Sequence, residues 1–102
     1  MQLATQARRI RADARDELRR AGPRLPQVLA GIITRGETDE AIGKMRVVAL
    51  IESVPGIGKV RAAATMERLR ISPSRRVRGL GAHQRAALAQ EFTAARFVQP
   101  VE

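Results

Sequence analysis

Apolar positions along this chain recur with the period of a helix. Between Leu3 and Ala21 they fall at Leu3, Ala7, Ile10, Ala14, Leu18 and Ala21, in steps of four and three that place them on one helix face. The polar positions between them are mostly Arg, Gln, Asp and Glu, and Ala, Arg, Glu and Leu are strong helix formers. Gly22-Pro23 ends this first helix. Pro26 suits the first position of a second, short helix whose apolar face is Val28, Leu29, Ile32 and Ile33, closing near Gly36.

Thr38 or Asp39 can cap a third helix that the pattern carries to about Val54, with Ile42, Met45 and Ala49 on one side. Gly43 leaves its start open, either at the cap or after Lys44. Pro55-Gly56-Ile57-Gly58 is a sharp break. A fourth helix is predicted from Lys59 to about Leu69, with Ala62, Met66 and Leu69 facing inward. Residues 70–81 are the least regular, with one or two short turns around Ser72-Pro73. A last helix runs from about Ala82 to Ala95, with Leu88, Phe92 and Ala95 on one face. No strand is expected, and Val98 to Glu102 has nothing evident to pair with. The reading is all-α and one domain, in three parts: a basic helix over 1–22, a core over 23–96 and a tail over 97–102.

Composition sharpens this picture. Hydrophobic residues are 44% of the 102, enough for one modest core. Lys and Arg number 19 against 10 Asp and Glu, a formal charge of +9, which points to a polyanionic partner. Aromatics are Phe92 and Phe97 alone, too few for a protein that stacks single-stranded bases. The absence of cysteine excludes disulfides, zinc fingers and thiol chemistry. It fits a cytoplasmic protein. The longest apolar run, Val47 to Ile51, is too short to span a bilayer, and the basic N-terminus lacks the apolar stretch of a secretory signal. No membrane partner, metal or cofactor is expected.

Three basic features remain. The stretch Gly56-Ile57-Gly58-Lys59-Val60-Arg61 lies between two amphipathic helices and has the form of a helix-hairpin-helix turn. Its glycines permit close approach of a phosphate to the main chain. The N–H groups and dipole of the following helix favour an anion there, and Ile57 should turn inward as an anchor. The second feature is Arg75-Arg76-Val77-Arg78-Gly79. Arg68, Arg70, Arg75, Arg76, Arg78 and Arg85 fall in one stretch with no acid, self-repelling unless a polyanion faces it. The third is the first helix, where Arg8, Arg11 and Arg15 have no acid three or four residues away, whereas Arg9 can pair with Asp13, and Arg20 with Asp16 or Glu17. This stripe is a candidate second nucleic-acid contact; an ordinary solvated face explains it equally well. Catalysis finds no support. His83 is the only histidine and lies near a helix start, and no Ser has an evident activating base. Met45 and Met66 read as core.

The stretches Ile42 to Val47, Leu50 to Ala62, Met66 to Leu69 and Arg75 to Gly81 resemble the actinobacterial integration host factor family. The likeness extends over about residues 3 to 93 and is most specific from Ile42 to Gly81. It implies a long N-terminal helix packed on a helix-two-turn-helix core, and a nucleoid-associated architectural protein rather than an enzyme. Such a protein binds duplex DNA with little sequence preference, through phosphates and the minor groove, with bending or compaction. By position, Gly56 to Lys59 with Arg61 would hold one backbone, and Arg75, Arg76 and Arg78 would meet the groove or its flanking strand. Phage integrase is a partner the resemblance admits. Two departures stand out: Arg70 replaces the family's usual glycine after the fourth helix, and Val48 replaces a small hydroxyl residue.

A structural RNA-binding protein of the ribosome is the alternative, because the same turn holds RNA phosphates; an adaptor for an acidic protein is a third. A base-excising glycosylase is excluded by size and by the Met1-Gln2 start. The first helix has no heptad seam long enough for a coiled coil, so a monomer in solution is expected.

Overall fold

The computed structural model describes residues 2–93; the predicted end of the last helix at Ala95 and the 97–102 tail lie outside them. Among the described residues there are six α-helices and no strand: α1 (Gln2–Arg19), α2 (Leu25–Arg35), α3 (Glu40–Gly43), α4 (Val47–Glu52), α5 (Gly58–Arg68) and α6 (Ala82–Glu91). Short 3-10 turns occupy Gly22–Arg24 and Val77–Gly79. None of these helices is long and apolar enough to cross a membrane.

The predicted stripe of α1 is only partly used. Ala14 and Leu18 are fully buried in the same core as the other helices, and Ile10 packs against its edge, but Leu3 is 79% exposed. The helix therefore docks through its C-terminal half and its first turns project, which contributes to the elongated 47 × 27 × 22 Å shape. Periodicity reports which residues share a face, not how far a partner element extends beneath it. At the other end, Gly22 turns the chain with φ +57°, and Pro26 lies in the first turn of α2 as predicted. Leu29, Ile32 and Ile33 of α2 enter the core.

The expected third helix is two. The Asp39 side chain caps α3, accepting from the Ile42 N–H at 3.2 Å, but α3 ends at Gly43 and α4 starts only at Val47. Between them the chain opens to pair with a distant segment. The Val47 N–H donates to the Arg75 carbonyl at 2.9 Å and the Val77 N–H to the Met45 carbonyl at 2.8 Å, which forms an isolated antiparallel bridge between Arg46 and Arg76. Gly43 makes the break possible. A Cβ there would lie 2.5 Å from the Gly36 carbonyl oxygen and 3.0 Å from the Arg78 Nε. Only a glycine lets the end of α3 close on the end of α2 while Val77 packs beside Gly36.

After α5 the chain turns through a Schellman arrangement. The Ile71 N–H donates to the Met66 carbonyl at 2.8 Å and the Arg70 N–H to that of Glu67 at 3.0 Å, and Ile71 is buried. Arg70 occupies the left-handed position with φ 60°; it is the only non-glycine among the described residues with positive φ. The cap geometry survives the missing glycine, at a conformational cost of about 1–2 kcal/mol. Glu91 then ties α6 to α5: its buried carboxylate takes two bonds from the Arg68 guanidinium, at 2.6 and 2.9 Å.

Arg70→Gly should relieve that strain. Offset by the greater unfolded-state freedom of glycine, about 0.5–1 kcal/mol, the net gain is up to about 1 kcal/mol. A domain of this size then melts a few degrees higher, at roughly 4–8 °C per kcal/mol. A lowered melting temperature in a two-state thermal melt would contradict the assignment of strain to Arg70.

Candidate nucleic-acid interface

Two basic surfaces lie at opposite ends of α4. At its C-terminal end, Ser53 to Ile57 form two consecutive turns: the Ser53 N–H donates to Leu50, Val54 to Ile51 and Ile57 to Val54, at 3.0, 3.0 and 3.1 Å. Ile57 is buried as predicted. Gly56 and Gly58 on either side of it have φ +85° and +67°, conformations that bulky residues resist. This alternation drives the isoleucine inward and leaves the flanking backbone outside. Gly58, Lys59, Val60 and Arg61 are exposed, and no side chain caps the start of α5. The first N–H groups of a helix have no acceptor within it, so this end offers amide donors and a positive dipole to an anion. Arg61 bends back across the turn and donates to the Gly56 carbonyl at 3.1 Å, which fixes its guanidinium beside those amides. Val60 is 83% exposed.

At the N-terminal end of α4 lies the arginine loop. The bridge to residues 45–47 holds it, and Val77 anchors it with no exposed surface. Arg76 donates from Nη1 to the Lys44 carbonyl at 2.5 Å. Arg75 runs beneath the Val77–Gly79 turn and donates from Nη1 to the Gly79 carbonyl at 3.1 Å, while its Nε is buried without a partner. Arg78 is exposed and its stem lies along Gly43. Gly43, Lys44, Arg76, Arg78 and Gly79 line a shallow open cleft. The acid at its edge, Glu40, pairs with Lys44 at 3.0 Å. The Lys44 hydrogen bond and charge, with a smaller contribution from Arg78, hold the Glu40 carboxyl below the usual carboxylate range. Among the described residues, Arg75, Arg76 and Arg78 form no ion pair.

The arginine run is less lopsided in space than in sequence. Arg68 pairs with Glu91 and Arg85 with Glu37, the latter at 2.8 Å. Both acids come from outside the stretch, so two of its members are neutralised. On α1, Arg8, Arg11 and Arg15 make no ion pair among the described residues; Asp16 holds Arg19 at 3.1 Å and lies 3.9 Å from Arg20, and the expected Arg9–Asp13 pair does not form. His83 is an exposed residue at the start of α6. Sequence reasoning missed Arg46. It is exposed opposite Arg76 on the bridge, and no local pattern marks a pairing partner thirty residues away.

The comparisons with known proteins bear on the family and the fold. Residues 18–92 match the model of the S13-like H2TH domain. Over 92 residues the chain is 50% identical to the integration host factor of Mycolicibacterium smegmatis, covering 90% of this chain and 84% of that one. The chain belongs to the integration host factor family. The family's Streptomyces coelicolor member is 51% identical over 90% of this chain and 82% of its own. A solved structure of sIHF bound to an 8-bp palindromic DNA superposes with a TM-score of 0.82 at 50% identity, covering 90% of this chain and 99% of that one. The family is not one of enzymes.

Arg75 should act as a clamp on the turn. Arg75→Lys keeps the charge but loses the planar fork, so it is expected to cost about 1 kcal/mol and to speed amide exchange at Gly79 and Leu80. Wild-type exchange at both amides would show that the bond to Gly79 does not hold the turn.

Proposed function

We propose that this chain is a nucleoid-associated architectural protein of the cytoplasm. It binds duplex DNA through backbone phosphates and the minor groove with little sequence preference, and bends or compacts it. The observation that carries the reading is the exposed, uncapped start of α5 between Gly56 and Arg61, in a fold whose close relative was solved on DNA. Gly56, Ile57, Gly58, Lys59, Val60 and Arg61 form one contact, in which the amides and cations hold phosphate and Ile57 anchors the turn from within. Arg75, Arg76, Arg78 and Gly79 form the other, separated from the first by α4, which is roughly 9 Å long. Arg8 near the projecting end of α1, and Arg11 and Arg15 half-exposed further along the same helix, extend the basic surface. The protein acts as a monomer in solution, and assistance to site-specific recombination alongside a phage integrase is consistent with its family.

Low sequence preference follows from which side chains are engaged elsewhere. Base edges are read by Asn, Gln and Arg, and the chain has no Asn. The Gln84-Arg85 pair at the start of α6 is occupied: Gln84 Oε1 accepts from the Gly81 N–H at 3.1 Å, and Arg85 pairs with Glu37. What remains is suited to phosphate and to groove shape.

A salt titration against duplex DNA, structured RNA and single-stranded DNA tests this reading. For about 5–8 phosphate contacts the logarithmic salt slope on duplex DNA is expected at roughly −4 to −7, with scrambled duplexes competing almost equally. A strong preference for one duplex sequence would contradict the mechanism, and tighter binding to structured RNA would favour the ribosomal alternative.

A further inference from the structure

The bridge between α3 and the arginine loop places two like charges face to face. Its two hydrogen bonds, from Val47 to Arg75 and from Val77 to Met45, flank Arg46 and Arg76. The two arginines thus form the non-hydrogen-bonded kind of antiparallel pair, in which Cα atoms approach to about 4.5 Å and side chains lie closest. Met45 and Val47 on one segment and Val77 on the other are buried, and Arg75 is half-buried. Successive side chains on an extended segment point to opposite sides, so Arg46 and Arg76 are both turned outward, and both are exposed.

Like charges directly opposite each other on a ladder are destabilising, and among the described residues no carboxylate pairs with either arginine. The Arg46 side chain makes no hydrogen bond or ion pair among the described residues, and the Arg76 guanidinium reaches only the Lys44 carbonyl. The acid on the adjoining helix, Glu40, is committed to Lys44 and also feels Arg78. Lys44 and Arg78 line the same cleft as Arg76 and add positive charge. The packing that buries Met45 and Val77 forbids the pair from separating.

We infer that Arg46 and Arg76 together form a two-pronged site for one phosphate of the duplex backbone, at the end of α4 remote from the glycine turn. The site rests on the DNA-binding reading above and adds Arg46 to it. A phosphate oxygen accepts from guanidinium forks on either side, and its charge removes the repulsion that the fold imposes.

The test is a cycle of Arg46→Gln, Arg76→Gln and the double variant. It measures duplex affinity across a salt series, with scrambled duplexes as controls, and thermal stability at low salt. Each single variant is expected to lose about tenfold in affinity on every sequence alike. The double variant loses little more, because both prongs serve one phosphate, and its salt slope shrinks by about 1. Arg46→Gln should melt no lower than the parent, because it relieves repulsion. Parent-like affinity in Arg46→Gln overturns the site. So do fully multiplicative losses in the double variant, which would mean two separate phosphates, and an affinity loss matched by a lowered melting temperature, which would mean a structural role. If the parent protein fails to bind duplex DNA at all, the DNA-binding reading falls with the site; if the parent binds and Arg46→Gln is indistinguishable from it, only the site falls.

Discussion

Two backbone hydrogen bonds, Val47 to Arg75 and Val77 to Met45, hold together segments thirty residues apart and decide where the basic side chains lie. They exist because Gly43 and Gly36 let α3 close against the end of α2, which brings Met45 to the depth at which Val77 packs. Without that close approach the segment around Lys44 would have every local reason to stay helical, since its residues are ordinary helix formers and α4 resumes at Val47. Opening the helix for three residues sacrifices local bonds, and pairing with the arginine loop replaces two of them. The loop gains a buried anchor, and its arginines are held at defined positions on an otherwise irregular stretch.

The acids are distributed to the same end. Asp16, Glu17, Glu37, Glu40 and Glu91 are each paired with a basic residue, and several of those pairs join different helices, as Arg35 with Glu17 and Arg68 with Glu91 do. The exposed pairs among these add little stability singly, unlike Arg68 with the buried carboxylate of Glu91. Their larger effect is on the map of free charge. Among the described residues, most of the arginines left without a carboxylate lie on α1, at the start of α5 and on the bridge with its loop; Arg24 and Arg70 lie elsewhere. The net charge of +9 is therefore concentrated in a few places.

Much of this was legible in the sequence because it is local. The helix period, the Pro26 start, the Asp39 cap, the core placement of Met45 and Met66 and the inward turn of Ile57 all follow from residues within a few positions of one another, and the structure has each of them. The break after Gly43 was not legible beyond the ambiguity of that glycine, because its cause is a pairing with residues 75–77. The pairing of Arg68 and Arg85 was hidden for the same reason, since their acids lie far off in sequence. The length over which α1 packs was also invisible: Leu3 continues the stripe faultlessly, yet no described residue covers it. Arg70 illustrates the converse. The geometry that a missing glycine put in question is retained, because the Ile71 anchor and two backbone bonds outweigh the strain of one left-handed residue.

The choice of cation bears on how such a surface would act. All of the 19 basic residues except Lys44 and Lys59 are arginine. Lysine would supply the same charge as a mobile point at the end of a flexible stem, whereas arginine offers a planar fork whose donors have fixed directions. Several of these forks are already oriented by the protein's own backbone: Arg61 on Gly56, Arg75 on Gly79 and Arg76 on Lys44. A flexible basic tail neutralises a duplex in whatever shape it has. Donors held by backbone bonds at both ends of a short rigid helix favour the duplex whose phosphates meet them, and a shape preference of that kind has to be met by deforming the DNA. Such rigidity would let a small, weakly selective protein bend its partner instead of merely coating it.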